Sequence, residues 1–191
     1  MLHLEDSIRD AELIAARLEF GGLVAEIDQV DNWDAFNSAL VQQPYDIILC
    51  DYNLPGYDGL AALKLAREKQ PHTPVIVISG SIGEDEAVKC LHQGATDYLL
   101  KGRLERLIPA VSRALNESEQ RDQQRRAEEK LRHSEERFRQ FAEHSNDAVW
   151  IVELNPERIA YVSPAVERIW GLSAAAFSES ARVWLAAVHP E

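Results

Sequence analysis

Cysteine is scarce in this chain: Cys50 and Cys90 are the two among 191 residues. They lie far apart and lack the paired spacing of a zinc site or a disulfide framework, so buried, reduced thiols in a reducing cytoplasm are the expectation. Long apolar runs are also missing. The longest, in PVIVI and VWLAAV, reach four and six residues, against the ~20 that a spanning helix needs. No stretch has the layout of a secretory signal, so no membrane association is expected within these residues. Basic regions are absent too. Residues 1–115 hold 10 Lys and Arg against 18 Asp and Glu, residues 116–140 hold 7 of each, and residues 141–191 hold 3 against 7. No segment offers a nucleic-acid footprint, and a net charge of −12 favours solubility over anionic partners.

What the sequence does contain is alternation. LHL (2–4), LVAEIDQV (23–30), DIILC (46–50), PVIVIS (74–79) and TDYLL (96–100) read as strands. Between them lie helical patterns: Ile8, Leu13, Ile14 and Leu18 up to Gly21-Gly22, then Trp33, Phe36 and Leu40 before Pro44. Leu60, Leu63 and Leu65 follow up to Gln70-Pro71, and Ala87, Val88 and Leu91 up to Gly94. Five strands alternating with helices predict an α/β fold, a parallel sheet covered on both faces. The continuous apolar runs of the third and fourth strands fit burial on both sides.

In such sheets, sites form beyond the carboxyl ends of the strands. There the sequence places Glu5 and Asp6 after the first strand, Asp51 at the end of the third, Ser79 at the end of the fourth and Lys101 after the fifth. Three clustered carboxylates repel one another unless a cation compensates them. Mg²⁺ suits a small acidic site that keeps waters and shares its shell with phosphate oxygens. An Asp51 carboxylate attacking phosphorus would form an acyl phosphate. Lys101 and the metal would neutralise charge on the phosphoryl oxygens, with Ser79 placed to hydrogen-bond them. The serines of SGSIG (79–83) belong neither to a P-loop nor to a nucleophile elbow.

The blocks LHLEDS, DIILCDYNLPGYDGL, PVIVISGS and GATDYLLKG resemble the signature blocks of the receiver domain of two-component response regulators, over roughly residues 1–115. The resemblance implies a flavodoxin-like, doubly wound five-stranded parallel sheet of order 2-1-3-4-5, the order that receivers exemplify in general accounts of such sheets. It implies Asp51 as phosphoacceptor, and Mg²⁺ held by Glu5, Asp6, Asp51 and the backbone carbonyl of Asn53. It also implies Ser79 and Gly80 beside the phosphoryl group, Tyr98 as the rotating aromatic and Lys101 as the site lysine. The implied partner is a histidine kinase or a phosphotransfer protein. Gly102 stands where the family usually has a proline after the lysine, so a looser loop is expected there. The first strand is unusually short.

From Leu104 a helical pattern continues, with Leu107, Val111 and Leu115 expected against the sheet. Residues 116–140 read as a charged linker helix. Ala127, Leu131, Ser134, Phe138 and Phe141 follow steps of 4, 3, 4 and 3, the spacing of a short coiled-coil seam and of a homodimer through this helix. Residues 141–191, with DAVWIVEL and RIAYVSPAVERIWG, resemble the first half of a PAS sensor domain, an incomplete α+β segment. The expectation is therefore a fragment of a longer chain. It comprises a Mg²⁺-dependent phosphoacceptor module with a Ser79/Tyr98 switch relayed through the last receiver helix. The alternative is a phosphorylation-independent scaffold or dimerisation module. No kinase or cyclase motif occurs in these residues, and the domain order resembles the amino-terminal part of sensor histidine kinases and, less specifically, of cyclic-dinucleotide cyclases.

Overall fold

The computed structural model describes residues 1–80, 84–155, 157–171 and 173–178. Ser81–Gly83 of the SGSIG segment and the VWLAAV run lie outside the described residues. The chain divides into two compact units, Met1–Gln123 and Gln124–Glu191.

In the first unit, β1 (Leu2–Leu4), β2 (Asp28–Val30), β3 (Ile48–Asp51), β4 (Val75–Ser79) and β5 (Asp97–Leu100) form one parallel sheet of order β2-β1-β3-β4-β5. The helices between them are α1 (Ile8–Phe20), α2 (Trp33–Gln42), α3 (Gly59–Lys69) and α4 (Glu84–His92), and α5 (Leu107–His144) follows the last strand. Strand alternation divides the interior into two cores. Val75 and Val77 point to the side of Phe36, Leu40, Leu63 and Cys90, on α2, α3 and α4. Ile76 and Ile78 point to the side of Ile14, Leu18, Leu107 and Val111, on α1 and α5. This is the doubly wound α/β fold that the alternating pattern predicts.

Two details differ from the sequence reading. β2 is confined to Asp28–Val30, and Val24, counted in a strand by alternation, is fully exposed. Alternation without a partner to cover one face does not make a strand. In α4 the inward residue is Cys90, while Val88 and Leu91 are exposed. After β5 the chain takes 3-10 turns over Lys101–Arg106 that are broken at Arg103 (φ −132°, ψ 47°), and Leu104 is buried. Leu107 and Val111 then pack into the core as expected, and Leu115 packs against it.

In the second unit, β6 (Trp150–Leu154) and β7 (Glu157–Val162) pair antiparallel, and α6 (Ala165–Trp170) and α7 (Ala174–Ser178) follow. An aromatic cluster forms its interior. Trp170 stacks on Phe177 at 5.6 Å, and Trp150 meets both rings edge-on. Phe138, from the expected coiled-coil seam, packs edge-on against Tyr161 at 5.4 Å, while Leu131 and Phe141 of that seam are exposed.

Candidate functional site: an acidic pocket closed by one lysine

The carboxyl edge of the five-stranded sheet is built from short-range devices. Ser7 caps α1, its hydroxyl accepting from the Asp10 N–H at 3.3 Å, and the Ser7 N–H donates to Glu5 Oε1 at 3.2 Å. Glu5 is thereby held inward, fully buried, while Asp6 faces solvent. On β3, Asp51 is 4% exposed, and its Oδ1 accepts the Asn53 N–H at 3.2 Å, an Asx-type turn that starts the following hairpin. In that hairpin, Pro55 and Gly56 form the tip, where Gly56 takes φ of +86°. The hairpin then returns to Gly59. A Cβ there would lie 2.6 Å from the Tyr52 Cα and 3.0 Å from the Asp51 carbonyl oxygen. The glycine of the DYNLPGYDG block thus lets the start of α3 press against the segment carrying Asp51.

Lys101 reaches this edge from the end of β5. Its ammonium lies 2.7 Å from Glu5 Oε2, 2.9 Å from Asp51 Oδ2 and 2.6 Å from Asp10 Oδ2. Burial alone would lower the lysine's pKa, but hydrogen bonds to Asp10, Glu5 and Asp51 outweigh it and push the value up. Glu5 moves upward too, chiefly through burial and against the pull of Lys101. Among the described residues, carboxylate oxygens of Glu5, Asp6 and Asp51 lie within 4.8 Å of one another. These hard oxygen donors fit a small divalent cation.

On the far side of Asp51, the Ser79 hydroxyl is buried and accepts from Asn53 Nδ2 at 3.2 Å. Burial pushes the Tyr98 phenol up, and the Ser79 hydroxyl beside it opposes that shift without meeting hydrogen-bond geometry. Gly80 adjoins Ser79 in open space, where an added Cβ would meet nothing within 4 Å. The structure therefore gathers Glu5, Asp6, Asp51 and Lys101 around one point and links Asn53 to both Asp51 and Ser79.

Two further residues belong to this region. Asp10, in the first turn of α1, is the third carboxylate on Lys101. His3 is buried beneath the pocket with an unpartnered Nε2. Its pKa falls to about 4, first through burial and then through Lys101, with Asp51 opposing. The one signal for Asp10 in the sequence was its place three residues after a capping serine.

Comparisons with known proteins bear on the fold and the family. The response regulator receiver domain model matches residues 2–112, and a PAS domain model matches residues 136–190. The response regulator protein FleR of Pseudomonas aeruginosa is 35% identical over 101 residues, 53% of this chain and 21% of that protein. The DNA-binding transcriptional regulator NtrC of Escherichia coli is 32% identical over 123 residues, 64% of this chain and 24% of that protein. The chain thus spans about a fifth to a quarter of the length of these curated relatives. Among solved structures, the receiver domain of NtrX from Brucella abortus superposes with a TM-score of 0.55 at 30% identity, covering 60% of this chain and 97% of that one. The beryllofluoride-activated NtrC4 receiver domain dimer gives a TM-score of 0.56 at 26% identity, covering 61% and 96%. No helix among the described residues is long and apolar enough to cross a membrane. With the receiver model covering more than half of its 191 residues, the chain belongs to the response regulator receiver domain family.

Proposed function

We propose that residues 1–115 act as a phosphoacceptor in a two-component phosphorelay, with Asp51 taking a phosphoryl group from the phospho-imidazole of a histidine kinase or phosphotransfer protein. The observation that carries this reading is the Lys101 ammonium, poised 2.9 Å from Asp51 at the carboxyl edge of the sheet. An Asp51 oxygen attacks phosphorus, and the P–O bond forms as the P–N bond breaks. The imidazole leaves with the bonding pair and takes a proton from solvent. Lys101 offsets the charge on the phosphoryl oxygens. Glu5, Asp6, Asp51 and the Asn53 carbonyl are the residues that would hold Mg²⁺, which when bound supplies further charge neutralisation at the phosphoryl group.

Ser79, already buried, donates to a phosphoryl oxygen once one is present, with Gly80 leaving room beside it and Tyr98 following the serine inward. The resulting change passes into α5. On this reading residues 116–140 are the linker, 141–191 a PAS segment, and the domain order that of a cytoplasmic sensor histidine kinase or related signalling protein. The exposed Leu131 and Phe141 support pairing of two copies through α5. A phosphorylation-independent scaffold is disfavoured by a pocket in which each chemical position carries a usable group.

The test is intact-mass analysis after incubation with acetyl phosphate and Mg²⁺. Wild type should gain one HPO₃ unit, and Asp51→Asn should not. A folded wild type that gains nothing would overturn the reading in favour of the scaffold.

A further inference from the structure

The third carboxylate on Lys101 lies outside the set just proposed for the chemistry. A lysine ammonium has three N–H donors, and here three carboxylates, Glu5, Asp10 and Asp51, surround it at 2.6 to 2.9 Å. An acid in the first turn of a helix commonly serves the helix, by reaching back to the cap residue's N–H or by facing the positive end of the dipole. Asp10 does not serve the cap, because the Ser7 N–H is taken by Glu5 Oε1. Its carboxylate turns instead to a lysine 91 residues away in the chain.

We propose that Asp10 is a positioning residue that holds Lys101 in the resting state and is the partner the lysine gives up when Asp51 carries a phosphoryl group. The proposal rests on the phosphoacceptor reading. Phosphorylation raises the negative charge at Asp51 and adds acceptor oxygens, so the ammonium is drawn toward them and one of its present contacts must lengthen. Releasing Glu5 would leave a fully buried carboxylate that water cannot reach, served by the Ser7 N–H and the cation alone. Asp10 has a side chain 35% exposed, and water can replace the lost donor. Asp10 therefore competes with the phosphoryl group for Lys101 and weakens the phosphorylated state relative to the resting one. Its hydrogen bond leads the contributions that raise the lysine's pKa.

Beryllofluoride, a phosphoryl mimic, tests this in the full chain with Mg²⁺ present, its affinity read by fluorine NMR. Asp10→Asn should bind about fivefold more tightly than wild type, the scale of one partly exposed ion pair. Asp10→Glu should return the affinity to near the wild-type value. Glu12→Gln, which removes an exposed charge on the same helix, should leave it unchanged. An Asp10→Asn protein that melts like wild type yet binds no more tightly would overturn the proposal, as would equal tightening in Glu12→Gln. A wild type that takes neither beryllofluoride nor the acetyl phosphate adduct would sink the phosphoacceptor reading and this inference with it. A wild type that takes both, with affinity indifferent to Asp10, would sink this inference alone.

Discussion

In the first unit, β4 is buried along its whole length from Val75 to Ser79, whereas β6 in the second unit leaves Ile151 41% and Leu154 84% exposed. Both are five-residue strands rich in Val and Ile. The difference lies in what covers them. β4 has a parallel neighbour on each side and helices on both faces. Among the described residues β6 has one paired neighbour, and the interior of its unit is a small group of stacked rings. A strand buried on both faces fixes where its end lies, and that allows three acids to be held against one lysine at the sheet edge. A half-covered strand offers a surface instead.

The sharpest way to break this comparison is to remove equal volume from each strand. Ile76→Ala, in the middle of the sheet, should cost ~2–5 kcal/mol of the first unit's stability. Leu154→Ala should fall within about 0.5 kcal/mol. Residue-resolved hydrogen exchange reads the two units separately and would expose any equality between them.

A smaller effect is expected at the sheet edge. Lys101→Met leaves the buried Glu5 carboxyl without its donor and should destabilise the first unit by ~2 kcal/mol in the absence of divalent cations. Added Mg²⁺ should recover much of that loss. Thermal melts with and without Mg²⁺ measure both parts, and a variant indifferent to Mg²⁺ would argue against cation binding by the acidic cluster.

A pH-dependent effect concerns His3. Its folded pKa of about 4 lies below the ordinary 6.5. As pH falls below 6.5, the unfolded chain takes up a proton that the folded chain refuses until about pH 4. Stability is therefore present above that window and lost through it, at up to ~1.4 kcal/mol per pH unit. His3→Val should flatten this part of the stability profile, measured by urea unfolding from pH 7 to 4, and an unchanged slope would remove His3 as its source.

Much of the sheet was legible because its central strands are continuous apolar runs, and a strand buried on both faces has to be one. Its edges were less so: Val24 alternates correctly and still lies outside a strand, since no helix covers it. Glu5, Asp6, Asp51, Ser79 and Lys101 could be found because each sits at a strand end, where topology forces convergence. Asp10 could not, since an acid in a first helical turn is ordinary and its contact with Lys101 exists only in three dimensions. Cys90 was hidden for a similar reason. Val88 and Leu91 are the more apolar residues of α4, yet they face outward.

The account turns on which atom accepts the phosphoryl group. After acetyl phosphate and Mg²⁺ treatment, borohydride reduces an acyl phosphate to an alcohol, and peptide mapping then locates it. The account predicts homoserine at position 51, where Asp51 stood. Homoserine at another carboxylate, or none in a protein that carries the phosphate adduct, would contradict it.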